Sequence, residues 1–385
     1  MIKTEGGKIL YIHIGHNKTG SSYVQSIFAN SVGALQKQGL VYPNSKNIQK
    51  AKQGGITTGN ILAFSEMLKN NDAVYSKGEY GKVFSSELFF KSFIEKEFQQ
   101  SFCTFIEKNS IISVKILLFI RDPVSLACSR YQQLVKGHGL TGSIEAYFEE
   151  NFNTPKEVNV VLDFFESLPI FQVTVKNYSR EKKRLLSVVE EWLEVPSGTL
   201  NKPPQGVVNR SLTFGELELQ RFINFSLGAS PNALANHVSN NLPDIRAEIE
   251  CPSIASQEKL WNRLALEVDK VNSRIAIEDN YDHTRDISER IQNKGELFGF
   301  SKAQIEVIAD CIVRPTKQSE DLQKQLQVRV AQVEDLQRRL RARIAQVEDL
   351  QQKILRSEKV EVRMLSRLKE RVKVKINRYK EWKNK

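Results

Sequence analysis

Short apolar runs alternate with helical patterns along the first half of the chain. Four runs rich in β-favouring residues lie at positions 9–14, 82–85, 114–120 and 172–176. Each run is followed by apolar residues at helical spacing, as in the series Tyr23, Val24, Ile27 and Phe28. Such alternation is typical of a parallel sheet joined by crossover helices. The sequence therefore predicts an α/β fold in which a parallel β-sheet is flanked by helices.

The last part of the chain repeats a two-heptad unit. The tetrapeptide Glu-Asp-Leu-Gln recurs every fourteen residues, at positions 320–323, 334–337 and 348–351. Apolar residues seven positions apart form one continuous seam, at Leu326, Val333, Leu340, Val347 and Ile354. This regularity predicts a C-terminal α-helical coiled coil, and with it a homo-oligomer. One long solvated helix, folded back on the preceding domain, is the alternative interpretation.

These patterns predict three parts: an α/β domain (1–315), a coiled coil (316–370) and a basic amphipathic tail (371–385). The net charge of +11 is concentrated late in the chain, since the residues from Lys317 onward include 20 basic and 10 acidic ones. The preceding residues hold 36 basic and 35 acidic ones, which argues against nucleic acid as the partner. The tail suits an anionic membrane surface or an anionic glycan, or is simply a solvated helix end.

Other features bear on the cellular location. The four cysteines are scattered, with neither disulfide-like spacing nor a metal-binding pair. The N-terminal residues lack the apolar core of a signal peptide, and the longest apolar runs are too short to span a bilayer. These features predict a cytoplasmic protein with no structural metal. It would be peripheral to the inner face of the membrane if the basic tail binds there.

The first predicted strand leads into a loop suited to an anion. The run 9–14 stops at Gly15, and a helical pattern begins just after Gly20. In such a strand–loop–helix turn the backbone N–H groups and the helix dipole point at one spot. Lys18, expected on an exposed loop, adds a full positive charge. The sequence therefore predicts a phosphate-binding, P-loop-like turn. A strand–helix turn that merely contains lysine and glycine is the alternative.

The position of the lysine argues against a nucleotide triphosphatase. Loops of that class read G-x-x-x-x-G-K-[ST], where the lysine follows the second glycine and the hydroxyl binds magnesium. Here Gly15 and Gly20 keep the glycine spacing, but Ser21 stands where the lysine is required. A P-loop nucleotide or sugar kinase is therefore disfavoured, although it stays an alternative. A non-catalytic nucleotide-binding coiled-coil scaffold is the rival from another class.

A second phosphate-binding element follows the run 114–120. Arg121 comes directly after this predicted strand, at the end where open α/β sheets bind ligands. Pro123 suits the first turn of the next helix, and Ser129 lies two turns into it. A guanidinium group matches a phosphate. A local pair of Arg121 with Asp122 at a helix start is the alternative.

Together, the two segments resemble sulfotransferases that use 3′-phosphoadenosine 5′-phosphosulfate (PAPS), in particular bacterial proteins similar to carbohydrate sulfotransferases. The string Lys18-Thr19-Gly20-Ser21-Ser22 is similar to the 5′-phosphosulfate loop of that family. The string from Arg121 to Tyr131, with Ser129, is similar to its 3′-phosphate signature.

The resemblance implies a PAPS co-substrate and roles for the matching residues. Thr19, Gly20, Ser21 and Ser22 would bind the 5′-phosphate, and Arg121 and Ser129 the 3′-phosphate. Lys18 would stabilise charge on the leaving phosphate, without a divalent metal.

The implied reaction moves a sulfonate to a hydroxyl or amine of an acceptor, most simply a saccharide or glycolipid. Such an acceptor needs a general base. Glu87, just past the run 82–85, is the first candidate, and His138 is the competitor. A first-turn glutamate favoured by the helix dipole is the alternative for Glu87. His13 is expected in the core. The Gly-rich stretch 53–59 is either a surface loop or a mobile lid.

Overall fold

The computed structural model describes residues 7–43, 47–55, 57–71, 75–150, 152–203, 210–227, 234–242, 244–246, 248–287 and 299–383. The chain divides into two compact units, Met1–Cys311 and Ile312–Lys385. The first unit is α/β, and the described residues of the second are helical.

Five strands form one sheet in the described part of the first unit. They are β1 (Lys8–Gly15), β2 (Leu40–Val41), β3 (Gly81–Ser86), β4 (Ile111–Ile120) and β5 (Phe171–Asn177). Their order is β2-β3-β1-β4-β5, and all neighbouring pairs are parallel. This confirms the predicted parallel sheet. β4 starts earlier than the predicted run 114–120 because its first residue, Ile111, pairs with Lys8 at the start of β1.

Helices cover both faces of the sheet. The first seven are α1 (Ser21–Asn30), α2 (Val32–Lys37), α3 (Ile48–Lys52), α4 (Ile61–Asn70), α5 (Leu88–Ser92), α6 (Lys96–Lys108) and α7 (Pro123–His138). The next five are α8 (Ile144–Glu150), α9 (Thr154–Glu166), α10 (Tyr178–Glu181), α11 (Leu185–Leu193) and α12 (Phe214–Leu227). The last four are α13 (Ala235–Asn241), α14 (Ile254–Asn272), α15 (His283–Asp286) and α16 (Lys302–Lys383).

The alternation of side chains along the strands divides the core into two clusters. On β1, Leu10, Ile12 and Ile14 belong to the cluster covered by α4 to α9 and α12 to α14. Ile9 and Tyr11 belong to the other cluster, which α1, α2 and α11 cover. Complete burial of side chains of this kind stabilises the fold by about 1.5–3 kcal/mol each. Because the central strands are buried on both faces, their sequences read as continuous apolar runs.

The carboxyl ends of three neighbouring strands meet at one edge of the sheet. In the strand register, Gly15 lies opposite Phe119, and Ile14 lies opposite Ser86. The loops that follow β1, β3 and β4 therefore leave the sheet side by side. The chain also changes direction across the sheet at β1, and ligands of open parallel sheets bind at such a point.

In the second unit, the described residues belong to α16, and nearly all their side chains are exposed. The seam positions are more than half exposed: Leu326 64%, Val333 53%, Leu340 61%, Val347 53% and Ile354 57%. Charged side chains one turn apart pair along the helix, as Arg339 with Asp335 at 2.8 Å. The coiled coil stays a prediction. Among the described helices, none is both long enough and apolar enough to cross a membrane.

Candidate active site

Two residues in the left-handed conformation turn the chain from β1 into α1. Lys18 has a φ of 67° and Gly20 a φ of 82°. A Cβ on Gly20 would lie 2.8 Å from the ring of Tyr178, so only glycine fits there. Thr19 closes the turn by donating from Oγ1 to the carbonyl oxygen of His16 at 2.6 Å. Gly20 brings no capping side chain, so no side chain at that position occupies the first amide groups of α1.

Ser21 is buried at the start of α1, and its hydroxyl oxygen makes no hydrogen bond within the described part of the chain. This oxygen lies 1.9 Å from the position that a Cβ on Gly15 would take, so Gly15 is what admits it. Buried hydroxyl groups normally have a partner in folded proteins. Ser22, in the same turn, is half-buried. These loop residues therefore fit the oxygens of a phosphate-like anion.

Arg121 follows β4 and reaches the loop after β1. Its Nη1 donates to the carbonyl oxygen of Lys18 at 2.9 Å, although the two residues are 103 positions apart. Its guanidinium carbon lies 5.5 Å from the centroid of the Tyr178 ring, a cation–π arrangement. The two sequence segments singled out above thus meet at one edge of the sheet. Because Arg121 and Tyr178 pack against the loop, Lys18 is only partly exposed, and the expectation of an exposed loop is wrong.

Lys18 and Glu87 lie close enough to influence each other's charge. Burial lowers the pKa of Lys18, the positive charge of Arg121 lowers it further, and Glu87 opposes both. Burial raises the pKa of the Glu87 carboxyl, and the charge of Lys18 opposes that shift. A carboxylate with a raised pKa is a stronger proton acceptor at neutral pH.

The Gly-rich connection before α4 fixes the end of β3, where Glu87 follows. The side-chain oxygen of Asn60 accepts from the N–H of Ser85 at 2.8 Å, and Ser86 Oγ donates to a carbonyl of the connection at 2.7 Å. Gly59 has a φ of 68°, and a Cβ there would lie 1.8 Å from the Ser85 carbonyl oxygen. The end of the connection is therefore packed against the sheet and supports Glu87, while Gln53 and Thr58 are exposed as in a surface loop.

A cavity of about 470 Å³, which we name the Arg121 cavity, opens beside Arg121. Its basic lining residues are Arg121, Arg180, Lys182 and Arg285. The sequence pattern did not indicate the last three, because they follow β5 or lie in α15, far from either motif. Tyr178 also lines the cavity and offers an aromatic face. An anion with an aromatic group attached fits this combination.

Asp286 occupies the N-terminus of α7 at the same cavity. Its carboxylate accepts from the N–H groups of Val124 at 2.6 Å and Ser125 at 2.8 Å. Burial raises its pKa to about 6, and the charge of Asp122 adds to the shift. The helix start predicted at Pro123 is confirmed, but its cap comes from a distant helix. Ser129 is partly buried farther along α7 and is not among the residues that line the Arg121 cavity.

A second cavity, of about 290 Å³, includes Lys18 in its lining, and we name it the Lys136 cavity. Lys136 and His138, both in the last turn of α7, line it together with Arg210. Burial lowers the pKa of Lys136 to about 8, with Lys18 and Arg210 adding to the shift and Glu216 opposing it. His138 is exposed. The structure thus places His138 on the same cavity as Lys18.

The two histidines next to the loop are buried. His13 shares a hydrogen bond of 2.8 Å between its Nδ1 and Ser85 Oγ, and burial lowers its pKa to about 3. The expectation that His13 lies in the core is confirmed. Burial also lowers the pKa of His16, to about 4, and its ring packs edge-on against Phe90 with centroids 5.1 Å apart. Both side chains are therefore neutral at physiological pH.

The fold and the site define an α/β protein with a cationic edge formed by the β1–α1 loop and Arg121. In the described residues there is no group of three or more His, Cys, Asp or Glu side chains that could hold a metal ion.

Comparison with family models finds no match, and comparison with curated proteins finds none either. Among solved structures, the chain is similar to a sulfotransferase domain from the curacin biosynthetic pathway. The identity is 15%, the match covers 68% of this chain and 98% of that domain, and the TM-score is 0.29. Because the overlap is this low, the function has to be argued from the site itself.

Proposed function

We propose that the protein is a sulfotransferase that moves a sulfonate group from PAPS to a hydroxyl or amine of a saccharide or glycolipid in the cytoplasm. The observation that carries the proposal is the hydrogen bond from Arg121 to the Lys18 carbonyl, 2.9 Å long. It joins the two segments that resemble the 5′- and 3′-phosphate signatures of the sulfotransferase family. Either segment alone has a plain structural explanation, whereas their convergence at one sheet edge supports a shared ligand.

The β1–α1 loop holds the 5′-phosphate in this proposal. The backbone N–H groups from Thr19 into the start of α1 and the hydroxyls of Ser21 and Ser22 supply donors, and Gly20 permits the turn. The buried Ser21 hydroxyl, which makes no hydrogen bond within the described residues, gains a partner when an anion binds.

Arg121 binds the 3′-phosphate through its guanidinium fork, with Ser129 on the following helix as the second donor. The other basic residues of the Arg121 cavity add positive potential there. The cavity also holds Asp122 and Asp286, but each already accepts hydrogen bonds from the protein. An arginine held by both a backbone carbonyl and an aromatic ring is pre-organised, so less entropy is lost when it binds.

The transfer step uses Lys18 and Glu87. The acceptor oxygen bonds to sulfur, the bond from sulfur to the bridging phosphate oxygen breaks, and Lys18 stabilises the charge left on that oxygen. Glu87 takes the acceptor proton, and its burial makes it a stronger base than an exposed carboxylate. His138 is the second candidate for that proton, because it lines the cavity that contains Lys18. No metal is assigned a role.

The second unit is proposed to join two copies of the chain as a coiled coil. A seam of five apolar residues, spaced by seven and more than half exposed on one chain, is buried when a second copy supplies the same seam. The basic tail is proposed to bind an anionic membrane surface.

Turnover of radiolabelled PAPS with a panel of glycan acceptors tests the proposal. The expected products are a labelled glycan and 3′-phosphoadenosine 5′-phosphate. Binding of the bisphosphate without transfer to any acceptor of the panel would favour the scaffold, and phosphoryl transfer from ATP would favour the kinase.

A further inference from the structure

Two thiols that are far apart in the sequence meet at the Arg121 cavity. Cys128 lies in α7, and Cys251 lies in the segment just before α14, 123 positions later. The Sγ of Cys128 donates a hydrogen bond to the Sγ of Cys251 at 3.5 Å. The other two cysteines, Cys103 and Cys311, lie in α6 and α16 and are not among the described residues that line this cavity. The spacing of the cysteines along the chain gave no indication of this pair.

Both thiols are buried, and both line the cavity. Cys128 is fully buried, and Cys251 is 4% exposed. The cavity, of about 470 Å³, is large enough to admit a small oxidant such as hydrogen peroxide. Burial raises the pKa of the Cys128 thiol and its contact with Cys251 adds to the shift, while the charge of Arg121 opposes it. Since the thiolate is the reactive form, we expect the more exposed Cys251 to react first and Cys128 to follow.

The two sulfur atoms are near the distance at which they can bond. A disulfide bond is about 2.05 Å long, so the atoms have to approach each other by about 1.5 Å. They come from different walls of the cavity. One wall is the start of α7, with Val124 and Ser125, and the other is the segment that contains Ile249. A bond between the sulfur atoms therefore draws these two walls together.

We propose that Cys128 and Cys251 are a modification site, at which a peroxide forms a reversible disulfide that narrows the Arg121 cavity. The Cys251 thiolate first attacks a peroxide oxygen, the O–O bond breaks, and the released hydroxide takes up a proton and leaves as water. This step leaves a sulfenic acid on Cys251.

The second step closes the disulfide. The sulfur of Cys128 attacks the sulfur of Cys251, and the sulfenic hydroxyl leaves with the Cys128 proton as a second molecule of water. Overall, the two thiols lose two electrons and two protons, and the peroxide is reduced to water. Glutathione reverses the reaction by thiol–disulfide exchange and is itself oxidised to its disulfide. In a reducing compartment the pair therefore stays as two thiols until an oxidant arrives.

The modification does not depend on the proposed function, but its effect on the donor does. In that proposal the Arg121 cavity binds the 3′-phosphate. The narrowed cavity should bind 3′-phosphoadenosine 5′-phosphate about five-fold or more weakly, a coupling at the lower end of the range that is typical between linked events. Because such coupling is reciprocal, bound bisphosphate should also disfavour the disulfide.

Peptide mapping of the full-length wild type tests the bond itself. The reduced protein is freed of reductant, treated with hydrogen peroxide, blocked with iodoacetamide and digested with trypsin. Cleavage after basic residues releases Cys128 in the peptide 122–130 and Cys251 in the peptide 247–259. We expect mass spectrometry to find these two peptides joined after peroxide, and separate again when glutathione is added before the block.

Calorimetric titration with the bisphosphate tests the effect on the cavity. The wild type should lose affinity after peroxide and regain it after glutathione. Cys251→Ser cannot form the bond, so its affinity should be the same before and after peroxide. Cys103→Ser is the matched control, because Cys103 is a partly buried cysteine in another helix. This variant should lose affinity as the wild type does.

Two results would overturn the proposal. One is the absence of the joined peptides at a peroxide concentration that already oxidises Cys103. The other is equal bisphosphate affinity in the reduced and the disulfide-bonded wild type, or an equal loss after peroxide in Cys251→Ser. Failure of the bisphosphate to bind the reduced wild type would instead contradict the proposed function, and the peptide map would still decide whether the bond forms.

Discussion

The carboxyl edge of the sheet and the second unit differ in how their charged side chains are buried and paired. At the edge, charged and polar groups are partly or fully buried and held by contacts from distant parts of the chain, as the partly buried Arg121 is by Lys18 and Tyr178. In the second unit, apolar seam residues are exposed, and the ion pairs among its described side chains, such as Arg339 with Asp335, run along the helix itself. Exposed ion pairs of that kind contribute little to stability, about 0.3–0.5 kcal/mol each.

This contrast indicates that the two regions have different roles. Buried charges are costly to place, so their presence at one edge suggests a ligand that offsets the cost. An exposed, regular apolar seam suggests instead a surface that a second helix covers. Changes at the edge should therefore alter catalysis and ligand binding, and changes in the second unit should alter assembly alone.

The largest effect is expected at the general base. Glu87→Gln keeps the shape but cannot accept a proton, so turnover should fall about a hundred- to ten-thousand-fold. Affinity for 3′-phosphoadenosine 5′-phosphate should stay close to that of the wild type in a parallel titration. If Glu87→Gln turns over normally while His138→Ala does not, His138 is the base.

The pH profile of wild-type turnover should be bell-shaped, with both limbs moved inward. Glu87 has to be deprotonated, and its raised pKa places the rise in rate above the ordinary carboxyl value of 4.5. Lys18 has to be protonated, and its lowered pKa places the fall below the ordinary lysine value of 10.5. A profile measured under saturating donor and acceptor checks both limbs. Glu87→Gln should lose the acidic limb only.

Removal of the Lys18 amine should lower the rate of transfer about a hundred- to a thousand-fold. Lys18→Ala and Lys18→Gly form a matched pair, because both lose the amine while only glycine relieves the backbone at a φ of 67°. The rate of transfer should fall by the same factor in both variants. The melting temperature of Lys18→Gly should be equal to or higher than that of Lys18→Ala. Near-normal turnover in either variant would remove Lys18 from the mechanism.

A smaller, selective effect is expected from Arg121. Arg121→Ala should weaken 3′-phosphoadenosine 5′-phosphate about ten- to a hundred-fold more than adenosine 5′-phosphate, because only the former carries the 3′-phosphate. Arg121→Lys should recover part of the difference, since it keeps the charge and loses the fork. Equal losses for both ligands would mean that Arg121 only supports the loop through Lys18.

The smallest effect on transfer is expected from the second unit. A chain ended at Pro315 should bind the bisphosphate as the full chain does, because the proposed ligand residues all lie before Pro315. Its mass by light scattering should be that of a monomer, while the full chain should be a dimer. Equal numbers of protomers per particle in both would rule out the coiled coil. Salt-sensitive binding to anionic vesicles should disappear with the truncation.

Much of the fold and about half of the site could be predicted from local sequence patterns. The apolar runs located four of the strands because strands buried on both faces need continuous apolar residues. The positions of Lys18 and Arg121 followed from glycine and proline at strand–helix turns, which are local signals. Their meeting follows from β1 and β4 being neighbours in the sheet, because the carboxyl ends of parallel neighbours lie at the same edge.

The rest of the site depends on contacts that leave no local pattern. Asp286 caps α7 from 162 positions away, and nothing in its surroundings in the sequence marks it for that place. The burial of Lys136, and its proximity to Lys18 and Arg210, likewise come from packing between distant elements. The partial burial of Lys18 was missed for the same reason, since Tyr178 and Arg121 reach the loop only in the folded chain.

The central claim is that this edge binds a 3′-phosphorylated adenine nucleotide without a metal. The most direct test is the melting temperature of the wild type with 3′-phosphoadenosine 5′-phosphate, compared with ATP and Mg²⁺ at equal concentration. A ligand at about a hundred times its Kd adds about 2.7 kcal/mol, which is a shift of several degrees. We expect that shift with the bisphosphate and not with ATP and Mg²⁺. A larger shift with ATP and Mg²⁺, or none with the bisphosphate, would contradict the claim.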